Sequence, residues 1–149
     1  MTETAPSVLA DRKRRIALLF EEIITNNRLE LAADIFAEDF YWPQFDLRGP
    51  EGVRTWVRAF RTAFPDISDL VQEQTAEGDL VVTRVECVGT QLGPFRGLPP
   101  SGKRVTFTAI GIDRFDGEKV VERSAHFDIV DLMRQLGHET LRVPPVAQP

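Results

Sequence analysis

Ile16, Leu19, Phe20, Ile23 and Ile24 fall at i, i+3, i+4, i+7 and i+8, the repeat of a single helical stripe. The spacing predicts a helix over residues 11–26, closed by Asn26-Asn27. A second, short helix is expected over 29–36, with Leu31, Ala32, Ile35 and Phe36 turned inward. Phe40-Tyr41-Trp42-Pro43-Gln44-Phe45 is aromatic but broken by proline, which reads as a short strand and a bend. Gly49-Pro50-Glu51-Gly52 opens a third helix with proline near its first turn. Val53, Trp56, Val57, Phe60 and Phe64 supply its buried stripe, and Pro65 stops it. Beyond that point the apolar period changes to two. Strands are expected over 67–76, 80–91, 105–115 and 119–128. Glu77-Gly78-Asp79 joins the first two by a tight turn, and Phe115-Asp116-Gly117-Glu118 joins the last two through the Asp-Gly hairpin signal. A longer loop lies between Gly89 and Lys103, a short helix follows over 130–136, and a proline-rich tail runs over 138–149.

Helices first and strands after is the α+β order, not alternating βαβ. Such a sheet must cover its apolar face with the helices, and strong curvature would leave a cavity between the layers where a ligand fits. At 149 residues the chain is expected to form one domain, with a core over about 11–137 and loose arms at 1–9 and 138–149. Apolar residues at 42% and charged residues at 28% place it among ordinary globular proteins. The net charge of −5 argues against a nucleic-acid partner. The run Arg12-Lys13-Arg14-Arg15 is read as a solvated helix face. A single cysteine, Cys87, forbids an internal disulfide and suits a cytoplasmic protein. No apolar stretch is long enough to span a bilayer, and residues 1–10 lack the apolar run of a signal peptide.

Side chains on a strand alternate faces. One face of 80–91 reads Leu80, Val82, Arg84, Glu86, Val88, an apolar row interrupted by an arginine and a glutamate. The other reads Val81, Thr83, Val85, Cys87, so neither face is plainly solvent. On the last strand His126 and Asp128 share a face with Glu122 and Ser124, opposite Val121, Arg123, Ala125 and Phe127. Asp128 stands among Phe127, Ile129 and Val130, where a carboxylate either stays protonated or is held ionised by a cation. Arg84, Glu86 and Asp128 are therefore expected to converge in one pocket, the two carboxylates dividing the acid and base roles, with His126 assisting. The competing reading makes Arg84 and Glu86 an exposed salt-bridge set and His126 a structural residue. Tyr41, Trp42, Gln44, Phe45, Trp56, Phe60, Gln91 and Ile110 are expected to wall the pocket. Two histidines, His126 and His138, do not make a metal cluster, so no metal is expected, and no phosphate-binding glycine loop is present.

Ala63-Phe64-Pro65-Asp66, Glu77-Gly78-Asp79 and Gly89-Thr90-Gln91-x-Gly93-x-Phe95-x-Gly97-x-Pro99-Pro100-x-Gly102-Lys103 follow one another in order. Asp116-Gly117-x-Lys119 and Phe127-Asp128 with Gln135-Leu136-Gly137 complete the series. Together they resemble the SnoaL-like polyketide cyclases of the nuclear-transport-factor-2-like superfamily. The resemblance implies a cone, with helices cradled by a strongly curved sheet that encloses a pocket, and a homodimer. It also implies cofactor-free acid–base ring closure on a small apolar polyketide-type substrate, of the kind found in antibiotic biosynthesis. In those cyclases an aspartate of the last strand is the acid–base, and Asp128 matches it. Two positions depart from the pattern: Gln91 stands where the loop usually has His, and Arg123-Ser124 stands where the last strand often has His-Trp.

Arg84-x-Glu86 with Asp128 is also similar to the arginine-and-two-carboxylates set of limonene-type epoxide hydrolases, where Tyr41 and Gln44 would position water. Three functions therefore compete: ring closure on Asp128, epoxide opening that needs Glu86 and Asp128 equally, and a non-catalytic binding protein of the same fold. The third gains if Arg84, Glu86 and Asp128 point to solvent.

Overall fold

A computed structural model of the chain describes residues 3–138, so the tail expected over 138–149 lies, apart from His138, outside the described residues. Its helices are α1 (Pro6–Leu18), α2 (Ala32–Ile35), α3 (Gly49–Ala63) and α4 (Ile129–Gln135). Its strands are β1 (Phe36–Trp42), β2 (Leu47–Arg48), β3 (Ser68–Glu77), β4 (Leu80–Thr90), β5 (Arg104–Asp116) and β6 (Lys119–Phe127). They form one six-stranded sheet in the order β2-β1-β6-β5-β4-β3, in which only β1 and β6 run parallel.

The first helix begins at Pro6 rather than at residue 11, because proline suits a first turn whose N–H groups have no partner. From Leu19 to Thr25 it widens into π-helical turns, and the Thr25 hydroxyl donates to Phe20 O at 2.8 Å. The second helix is shorter than expected. It is a 3₁₀ turn, Leu29–Leu31, followed by α2, and Phe36 leaves it to pair with Val120 of β6. The two stripes read from the sequence are buried, Ile16, Leu19, Phe20, Ile23 and Ile24, and Val53, Val57, Phe60 and Phe64, except for Trp56, which is half-buried. Both cover one face of the sheet, packing with Phe36, Phe40, Val81, Val85 and Phe107.

The basic run is largely taken up within the fold. Arg12 donates to the carbonyls of Gly78 and Gly117, the two hairpin tips, and Arg15 reaches Asp11, Glu118 and the Asp34 carbonyl. Register shifts between Val71 and Glu73 on β3 and between Arg114 and Phe115 on β5 bend the long strands around the helices. The outcome is the cone that the resemblance implies: helices on the concave face of a curved mixed sheet, with Leu70 and Ile110 among the side chains exposed on its outer face. Among the described residues no helix is long and apolar enough to cross a membrane.

Candidate functional site

On β4 the buried face is Val81, Thr83, Val85 and Cys87, the row opposite to the one that carries Arg84 and Glu86. The expectation that Arg84, Glu86 and Asp128 meet in a pocket is therefore corrected by the structure. Arg84 Nε donates to Glu73 Oε1 at 2.8 Å on the outer face, with 42% and 69% of the two side chains exposed. Glu86 is exposed between Leu70 and Thr108, and His126 is exposed opposite Ile110. β6 ends at Phe127, so Asp128 is not a strand residue. It is exposed, and its Oδ1 caps α4 by accepting from Asp131 N at 3.0 Å. Parity misled because the outer row also carries Leu80, Val82 and Val88.

The expected wall residues divide. Phe45, Trp42, Trp56 and Phe60 form a continuous aromatic run, with successive ring centroids 5.1 Å, 5.2 Å and 4.9 Å apart. Gln44 holds β6: its amide donates to Ala125 O at 2.8 Å, and its oxygen accepts from Ala125 N at 2.6 Å. Gln91 is buried and ties the 91–103 loop together through Gly93 O, Pro99 O and Ser101 N. Tyr41 lies under the Arg48 guanidinium, 4.1 Å from its ring. Ile110 borders the inner cavity, while its side chain belongs to the outer row of β5 and is 39% exposed.

What the cone encloses is a different set. Asp69, Asp113 and Arg123 are 5%, 0% and 4% exposed and point inward from β3, β5 and β6. Asp113 stands directly across from Arg123, whose Nη1 donates to both carboxylate oxygens at 2.6 Å. Burial raises the Asp113 carboxyl, and the guanidinium opposes that rise. Phe20 and Trp42 sandwich the same guanidinium at 5.3 Å to each ring centroid. Gly111 makes the room: a Cβ there would lie 2.7 Å from Arg123 Nη2. Substituting Gly111→Ala is expected to push Arg123 off Asp113 and cost about 1–3 kcal/mol, read by thermal unfolding.

Asp69 lies across from Cys87, and its backbone N–H donates to Thr25 Oγ1 at 2.9 Å, at the end of the π-helical turns. Burial pushes its carboxyl up to about 6, against the pull of the Cys87 thiol and the Arg123 charge. The thiol is itself raised by burial and by the Asp69 charge, so it stays protonated and donates. Among the described residues two buried side-chain polar atoms have no partner: Asp69 Oδ1 and Arg123 Nε. Both residues line one narrow cavity, walled by Phe20, Trp56, Phe60 and Phe107, with about 20 Å³ open to the centre of a water molecule. Trp56, Phe60 and Phe127 are shared with a wider mouth of about 220 Å³, whose far side is Phe45, Phe95 and Arg96. The arrangement supplies a desolvated carboxylate outside the ion pair, a fixed cation with a spare N–H, and an aromatic pocket that shares three wall residues with their cavity.

The model of the SnoaL-like polyketide cyclase family matches residues 14–136, most of the chain. The chain belongs to the SnoaL-like polyketide cyclases. TsrD from Streptomyces laurentii shares the fold of this SnoaL-like chain, with a TM-score of 0.77 at 24% identity over 91% of this chain and 98% of its own. IdmH from Streptomyces antibioticus, a candidate polyketide cyclase, gives 0.73 at 28% identity over 85% and 98%. AclR from Streptomyces galilaeus, a candidate hydroxylase, gives 0.74 at 26% over 93% and 91%. No curated protein matches the sequence. Membership supports a cyclase-type function, while a neighbour assigned to another reaction on the same fold leaves the chemistry to be argued from the site.

Three of this SnoaL-like site's residues were missed in the sequence. The signal was the row Val105, Phe107, Ala109, Gly111, Asp113, Phe115, an apolar face that narrows to glycine beside a charge. Arg123 entered the sequence reading on the strand face opposite Asp128 and as a departure from the family pattern, not as a site residue.

Proposed function

We propose that this chain closes a ring in a polyketide-type small molecule without a cofactor, with Asp69 as general acid–base and Arg123 as the group that stabilises the oxyanion. The observation that carries the reading is the pair of unpartnered buried atoms, Asp69 Oδ1 and Arg123 Nε, on residues lining one cavity. Ionised Asp69 removes a proton from a carbon flanked by carbonyls. The electron pair moves onto the carbonyl oxygen, which Arg123 Nε–H meets as negative charge develops. The resulting enolate carbon attacks a second carbonyl of the same molecule, forming the ring bond, and the alkoxide takes the proton back from Asp69. The inner cavity holds only the reacting end, so the remaining apolar body lies in the aromatic mouth.

Deuterium exchange at the activated methylene of benzoylacetone, followed by NMR, tests the first step without knowledge of the natural substrate. Catalysed exchange that survives in Asp128→Asn and disappears in Asp69→Asn supports the reading. Exchange that follows Asp128 instead overturns it.

A second reading has its own observation. Arg123 with Asp113 and Asp69 is an arginine among two carboxylates, the set that epoxide opening requires, built from other residues than Arg84, Glu86 and Asp128. Hydrolysis of styrene oxide with no methylene exchange favours it. Inactivity toward both probes favours the binding-protein reading, which the outward placement of Arg84, Glu86 and Asp128 had already strengthened.

The cytoplasmic homodimer belongs to the same proposal. Among the described residues, the outer face of the sheet exposes Leu70 by 49% and Ile110 by 39%, with Val82 and Ile112 half-buried beside them. Such a patch favours a second copy of the chain. Ile110→Glu is expected to convert the dimer to a monomer by light scattering, and a monomeric wild type would exclude it.

A further inference from the structure

The 91–103 loop carries the densest motif in the sequence, and nearly every residue of it has a structural task. A Cβ on Gly93 would sit 2.1 Å from Thr62 O, so only glycine lets the loop dock on α3, where Leu92 N and Gly93 N donate to Ala63 O. Phe95 is buried edge-on against Phe64, with centroids 5.4 Å apart. Gln91 holds the loop from within. Arg96 is the exception. Phe95 and Leu98 exchange backbone hydrogen bonds of 3.0 and 2.8 Å, closing a two-residue turn on Arg96 and Gly97, which have φ of +47° and +78°. A turn left-handed at both central residues favours Asn-Gly. An arginine in the first place is strained, and the turn itself gains nothing from it.

That strained residue stands at the mouth of the proposed site. Among the described residues that line the mouth it is the only charged side chain, in the company of Phe45, Trp56, Phe60, Phe95 and Phe127. Its guanidinium lies 5.7 Å from the Phe95 ring centroid and 5.9 Å from that of Phe127. Among the described residues it makes no hydrogen bond and no ion pair, whereas the neighbouring cations Arg54, Arg58 and Arg61 of α3 are all engaged. A planar fork with free donors beside an apolar slot is suited to a carboxylate or similar anionic oxygen group. The net charge of −5 repels anions at long range, so capture needs a local cation.

We propose that Arg96 is a specificity-determining residue. It binds an anionic group on a ligand whose planar apolar body fills the mouth and whose other end reaches Asp69. This deepens the ring-closure reading and rests on it for the direction in which the substrate lies. The substrate class becomes an apolar, ring-forming acid rather than a neutral molecule.

The test uses two fluorescent probes with one ring skeleton, anionic 1-anilinonaphthalene-8-sulfonate and neutral N-phenyl-1-naphthylamine, titrated into the full-length protein. Wild type is expected to bind the anion about tenfold more tightly than its neutral twin, the worth of one charge-assisted contact. Arg96→Asn, which the left-handed turn accepts, is expected to lose that preference with neutral-probe affinity unchanged, and Arg96→Lys to keep part of it. Probe binding is read by fluorescence and requires no turnover, so failure of the catalytic proposal leaves this result readable. Equal loss of both probes in Arg96→Asn, no loss of either, or no anion preference in wild type overturns the proposal.

Discussion

Asp69→Asn is expected to abolish catalysed methylene exchange, by about 10³-fold or more, and at the same time to make the protein more stable above neutral pH. The first effect follows because an amide neither accepts nor returns the proton. The second follows from linkage. The folded-state value of Asp69, about 6, lies above the ordinary carboxylate value of 3.8, because burial disfavours the charged form. The folded protein therefore holds this proton more tightly than the unfolded chain does. The stability this contributes is fully present below about pH 4 and is lost as pH rises through 6. At pH 8 the ionised carboxylate costs about 3 kcal/mol, and an asparagine, neutral throughout, does not incur that cost. Thermal unfolding of the two proteins should nearly coincide at pH 4 and separate in favour of the variant above pH 6. In the wild type, exchange activity should rise with pH with an inflection near 6, as base catalysis by Asp69 requires. A variant that is inactive and less stable at pH 8 would mean that Asp69 is a structural residue whose charge the fold tolerates.

A side chain kept at a cost to stability is the kind of residue sequence patterns mislead about, and the reasons here are geometric. The helical stripes were legible because each residue on them obeys the same period and the same burial. The α+β order, the hairpin tips at Gly78 and Gly117 and the stop at Pro65 were legible for similarly local reasons. Which face of the sheet looks inward was not. Counting back from the Glu77–Leu80 turn sets Asp69 against Val88, on the outer row. The register shift between Val71 and Glu73 sets it against Cys87 instead. Counting back from Asp116–Lys119 sets Asp113 against Glu122, a repulsive pair, whereas the shift between Arg114 and Phe115 delivers Arg123. One extra residue in a strand exchanges its two faces. The bulges that curve the cone thus also choose its chemistry, and alternation alone does not reveal them. The family resemblance carried the fold correctly, but its acid–base match fell on Asp128, which here caps a helix.

The Asp113–Arg123 pair is expected to give the largest loss of stability in the molecule when broken from one side. Asp113→Asn leaves a guanidinium 4% exposed without its hydrogen-bonded counter-charge, and removing one partner of a buried pair costs about 3–5 kcal/mol. For a domain of this size that lowers the melting temperature by roughly 10 °C or more. Removing both charges is a different experiment. Asp113→Leu with Arg123→Met replaces the pair by apolar groups of comparable bulk beside Phe20 and Trp42 and should recover most of the loss, since desolvating two ions offsets much of their attraction. If the pair served only to hold the fold, the recovered double variant would also recover activity. We expect it not to, because the oxyanion would meet no N–H in place of Arg123 Nε. Any residual exchange should show its pH inflection moved above 6, since the Arg123 charge is one of the influences that hold Asp69 down. Stability regained without activity, with the inflection displaced upward, would separate the structural work of this ion pair from its chemical work. An active double variant would return Arg123 to the core and leave Asp69 to act alone.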